Sequence, residues 1–106
     1  MKKLVRDLIP RIIEKQNRTP ICYIADDEEY RLSLKQKLKE EVDEFFEAES
    51  IEELADVLEV IEAIYPCFSW NKEEVEKARL EKKEKRGGFE KKIILEAIKD
   101  ESCCDR

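Results

Sequence analysis

Histidine is absent from this chain of 106 residues, and glycine occurs only twice. Acid–base chemistry near neutral pH therefore falls to carboxylates, lysine, tyrosine or metal-bound water. The four cysteines, Cys22, Cys67, Cys103 and Cys104, form no CxxC pair. With no imidazole to join them, buried or spare thiols are the better reading than a zinc site. No apolar run approaches the roughly 18 residues of a membrane span, and no apolar stretch follows the opening Met-Lys-Lys as it would in a signal peptide. A cytoplasmic protein with no membrane partner is the expectation.

What the chain has in abundance is charge. Lys and Arg number 21 against 27 Asp and Glu, 45% of the residues, for a net charge of -6. The two signs are interspersed, which describes solvated helix faces rather than a disordered block. The negative balance disfavours a nucleic-acid polymer as partner. An anionic small molecule stays compatible, because bound divalent cations invert the local field. At 42% hydrophobic residues, a single domain over 1–106 has a modest core for a lone protomer, so a homodimer or higher homo-oligomer is expected.

Periodicity predicts a mostly α fold, a helical bundle with room for one short pair of β-strands. In "VRDLIPRIIEKQ", Val5, Leu8, Ile9, Ile12 and Ile13 share a helix face, with Asp7 as its cap and Pro10 in the first turn. "ICYI", Ile21 to Ile24, follows a proline and reads as an extended segment or edge strand. A second helix is predicted from Asp26 or Asp27 to about Phe46. A third starts at the Ser50–Glu53 capping box and stops at Pro66. Asn71 and Glu74 open a fourth that runs to about Lys85, with Gly87 and Gly88 turning the chain. The tail "EKKIILEAIK" is ambiguous between a strand with a helical turn and one short helix.

Several acids fall where packing residues belong. With Leu34 at zero on the second helix, Phe45 and Leu38 fall at roughly 20° and 40°, Glu41 at roughly -20°, and Glu44 on the flank at roughly -80°. On the third helix Glu53 lies between Val60 and Ile64, and Asp56 borders the same arc. An antiparallel hairpin centred between Ala48 and Glu49 pairs Glu44 with Glu53 and Glu41 with Asp56 at matching depths. Four converging carboxylates repel unless hard cations sit among them, and oxygen-only ligation suits Mg²⁺, with Mn²⁺ as a substitute. An ExxE alone describes a solvated helix face. An ExxE and an ExxD equidistant from one turn is a more specific pattern.

The same residues carry a family resemblance. "EEVDE" at Glu40 to Glu44 with "ELAD" at Glu53 to Asp56 resembles the two-part signature of the MazG-like all-α nucleoside triphosphate pyrophosphohydrolases. "KLVRDLIP" at Lys3 to Pro10 and "RGGFEKKIIL" at Arg86 to Leu95 resemble a small-protein branch of that superfamily, similar to phosphoribosyl-ATP pyrophosphohydrolase. The resemblance implies an oligomeric helical enzyme that uses Mg²⁺ to split a nucleotide at the α–β phosphoanhydride, yielding a monophosphate and pyrophosphate. It implies metal ligation by Glu41, Glu44, Glu53 and Asp56, and a house-cleaning role toward non-standard nucleotides. The spacer between Glu44 and Glu53 is eight residues, shorter than in many MazG-type sequences, so substrate preference does not carry over.

Within that reading Glu41 or Glu44 is the catalytic carboxylate that orients or deprotonates water. Lys3 and Arg6 in the N-terminal motif, with Lys82, Lys83 and Arg86 on the fourth helix, are the substrate-binding candidates, Arg79 sharing their side. Asp7 serves equally as a helix cap with Arg6 as its ion-pair partner. Tyr23, Phe68 and Trp70 are read as core or interface aromatics more readily than as a base platform. Two rivals stand beside this reading. One is a non-catalytic helical interaction module whose acids meet a basic partner. The other is a hydrolase of a phosphoribosyl or other diphosphate-linked metabolite.

Overall fold

The computed structural model describes residues 2–100. Its elements are α1 (Ile9–Lys15), α2 (Asp27–Glu47), α3 (Ile51–Cys67) and α4 (Lys72–Arg86). The mostly α expectation holds, and no strand occurs among the described residues. The strand pair allowed by the sequence does not form. Ile21 and Ile24 are almost fully exposed, and an isolated extended segment has no ladder partner to offset its ordering. The tail likewise becomes neither strand nor helix. A turn closes there with the Lys92 amide donating to the Phe89 carbonyl, and the chain runs on irregularly with its apolar residues exposed. Cys22 is exposed and Cys67 half-buried, both free; Cys103 and Cys104 lie outside the described residues.

The chain divides into two compact units, 1–72 and 73–106. In the first, α2 and α3 form a helical hairpin around the three-residue connection 48–50. Leu34 and Val60, 2% and 8% exposed, are its buried apolar residues. Both helices begin as their sequences indicate. The Glu29 amide donates to Asp26 Oδ1 at 2.8 Å, and the Glu53 amide to Ser50 Oγ at 3.2 Å. Each bond satisfies one of the orphan donors of a first turn.

Two helix boundaries differ from expectation. Asp7 does not cap α1, because Leu8 holds the cap position with no side-chain bond, and the helix begins at Ile9 with Pro10 in its first turn. Nor does Pro66 stop α3, which continues through it to Cys67. A proline in the last turn costs one backbone bond, and a left-handed residue makes the real stop. Ser69 has φ 59°, its amide donates to the Pro66 carbonyl, and the Trp70 amide donates to the Tyr65 carbonyl. Asn17, also at φ 59°, closes α1 with the equivalent pair of bonds from Asn17 to Glu14 and from Arg18 to Ile13.

Among the described residues the second unit consists of α4 from Glu73 onward and the irregular segment to Asp100, all of them exposed. Gly87, at φ 87°, takes the chain out of the helix as the double glycine indicates.

Candidate metal centre

Glu41 is the one charged residue among those described that is buried, at 7% exposure. It sits on the apolar face of α2, one turn beyond Leu38, because the helical repeat brings it round to the face of Leu34. From α3, Glu53 in the first turn and Asp56 one turn later face it. The three side chains each bring one carboxylate oxygen within 4.8 Å of the others. Two of the oxygens, Oε2 of Glu41 and Oε2 of Glu53, are buried without a hydrogen-bond partner.

Two cations of the chain approach this group. Lys37, one turn before Glu41 on α2, places Nζ 3.4 Å from Glu41 Oε1 and 3.8 Å from Glu40. Arg6, from the segment ahead of α1, places Nη2 2.7 Å from Asp56 Oδ1. Like charges about 5 Å apart repel by about 3 kcal/mol at an effective dielectric of 20. Single cations at the edges lessen that repulsion and leave the two inward oxygens unsatisfied. Such oxygens are costly in an apolar groove and are suited to a hard cation that accepts several oxygen ligands. The residues present therefore fit a divalent ion.

The grouping is tighter and less symmetric than the residue count from the turn suggests. Glu41 meets both Glu53 and Asp56, whereas Glu44 is exposed and its carboxylate stands outside the group. The physical reason is rotational. Matching depth from a turn says nothing of azimuth, and Glu44 lies roughly 60° further round the helix than Glu41.

Arg6 also differs from expectation, since its partner is Asp56 rather than Asp7. Lys3 is exposed on the N-terminal segment. Lys82, Lys83 and Arg86 are exposed on α4 in the second unit. Arg79 is held on its own helix by two bonds to the Glu76 carboxylate, at 2.9 and 2.6 Å. Lys37 is the contributor that motif reasoning passed over. Its signal was the i,i+3 and i,i+4 spacing to Glu40 and Glu41, common enough on charged helices to be unremarked.

At the other end of the hairpin the aromatic residues associate with one another. The rings of Phe68 and Trp70 stack at 4.7 Å, and Arg31 and Lys35 of α2 lie over Phe68 at 4.9 and 5.9 Å from its centroid. Nearby, Tyr30 is pushed above the ordinary phenol value of 10.0 by burial first, then by Cys67 and Asp7. Tyr23 donates its hydroxyl to Glu29, and that bond raises its pKa as well.

No family model matches the chain, and no solved structure matches it. An uncharacterized protein of Mycolicibacterium smegmatis is 44% identical over 50 residues, 47% of this chain and 51% of that relative. The chain thus aligns with about half the length of the curated relative it matches. No described helix is long and apolar enough to cross a membrane.

Proposed function

We propose that this protein is a Mg²⁺-dependent nucleoside triphosphate pyrophosphohydrolase, with Mn²⁺ able to substitute. The observation that carries the reading is Glu41, a buried carboxylate with one unpartnered oxygen that meets Glu53 and Asp56 across the hairpin. Glu41, Glu53 and Asp56 hold the ion, and Glu44 on the exposed flank is the fourth candidate ligand. A divalent ion in this position supplies charge neutralisation for the phosphates and lowers the pKa of a nearby water. Water attacks the α-phosphorus in line, the bond to the α–β bridging oxygen breaks, and pyrophosphate leaves from the monophosphate. Glu41 or Glu44 takes the water's proton. The N-terminal cations Lys3 and Arg6 bind phosphate oxygens.

The resemblance of "EEVDE", "ELAD" and the two terminal motifs supports the choice of reaction, and it suggests the removal of non-standard nucleotides in the cytoplasm. A homo-oligomer belongs to the same proposal. Its support is the small core of the first unit, which leaves Ile51, Leu54 and Leu58 of α3 exposed.

The test is a panel of standard and modified nucleoside triphosphates incubated with the protein in Mg²⁺ or in EDTA, with products resolved by chromatography. Metal-dependent release of monophosphate and pyrophosphate is the expected result. No product from any of them, in a folded protein that also fails to bind Mg²⁺ or Mn²⁺, overturns the reading in favour of a helical interaction module. Turnover confined to phosphoribosyl or other diphosphate-linked metabolites identifies the related hydrolase instead.

A further inference from the structure

The ion pair between Arg6 and Asp56 joins residues 50 positions apart and ties an irregular segment to the carboxylate group. We propose that Arg6 is a resident counter-ion of this group which an arriving divalent cation displaces, so that cation binding unlatches the segment ahead of α1. The inference rests on reading the group as a cation site.

The two native cations at the group are mounted differently. Lys37 projects from the same helix as Glu41, one turn away, and α2 holds it there whatever else binds. Arg6 comes from residues 2–8, which precede α1 and form no helix or strand. Its ion pair is open to water, with side-chain exposures of 58% and 39%. Exposed pairs of this kind hold weakly and are screened by salt. A divalent ion bound by Glu41, Glu53 and Asp56 competes for the Asp56 carboxylate that Arg6 holds and repels the guanidinium beside it. The exchange therefore favours the cation, and the segment can respond without any helix melting. A backbone bond from the Ile9 amide to the Arg6 carbonyl, at 3.1 Å, marks where the segment meets α1. Leu4 and Val5, half-buried before it, become more accessible on release. Occupancy of the site is thus coupled to the accessibility of the N-terminal motif, and the coupling is reciprocal: weakening the latch tightens the cation.

The test is calorimetric titration of Mn²⁺ alone into the wild-type chain, Arg6→Gln and Arg6→Lys, with amide hydrogen exchange followed over residues 4–9. Arg6→Gln is expected to bind Mn²⁺ up to about fivefold more tightly than wild type, the upper range for an exposed pair. Arg6→Lys keeps the charge and is expected to stay within about twofold. In the wild type, Mn²⁺ speeds exchange over residues 4–9; in Arg6→Gln that exchange is already fast before Mn²⁺ is added. Equal affinities with unchanged exchange overturn the latch and leave the cation site standing. Failure of all three proteins to bind Mn²⁺ overturns both.

Discussion

The two ends of the α2–α3 hairpin use charged residues in opposite ways. Toward the open end, Arg31 and Lys35 lie over the ring of Phe68, which stacks on Trp70, so each charged head finds a π-face while staying near water. Toward the turn, Glu41 is withdrawn from water and meets Glu53 and Asp56. Along α3 the twelve residues from Asp56 to Phe68 separate the two clusters by roughly 18 Å. The open end is satisfied by its own side chains, whereas the turn end keeps two buried oxygens with no partner. The difference marks the turn end as the place where a ligand is expected to complete the structure.

Substitutions should separate the ends cleanly. Glu53→Gln removes the charge of one carboxylate with an unpartnered oxygen and, on the proposed pyrophosphohydrolase reading, is expected to lower turnover by about a hundredfold or more, the loss expected of an electrostatic contributor to the reaction. The same change should leave helicity by circular dichroism intact and raise the melting temperature measured in EDTA, because like-charge repulsion is relieved. A variant that kept full turnover would remove Glu53 from the site. Phe68→Ala is the converse experiment. Loss of the stack and the two cation–π contacts should cost about 2 kcal/mol in urea unfolding. Its Mn²⁺ affinity should match wild type, and a shift in that affinity would show that the two ends are coupled. The smallest effect belongs to the closing turn of α3. Ser69→Gly frees a left-handed position from its Cβ and should stabilise the chain by about 1 kcal/mol in the same assay.

Much of this was legible along the chain. The starts of α2 and α3 were marked by Asp26 and by the Ser50–Glu53 pair, since a cap is a contact between residues three apart and needs no tertiary partner. The intrusion of Glu41 on an apolar face was legible for the same reason, as helical rotation is a local property. The ends of helices were harder to read. Pro66 looks like a stop, yet the backbone leaves α3 at Ser69, whose positive φ no residue type announces. Strand formation in "ICYI" could not be judged locally either, because a strand exists only when another strand lies beside it.

Residue order alone determined the helical class, the length of the hairpin and the presence of acids on its inner faces, because these follow from periodicity and caps within a few residues. Which acids meet was decided by the packing of α2 on α3. Azimuth and depth together bring Glu41 to Glu53 and Asp56 and leave Glu44 in solvent. The pairing of Arg6 with Asp56 belongs to tertiary structure entirely. It spans 50 positions, and no local rule chooses among 27 acids for a single arginine.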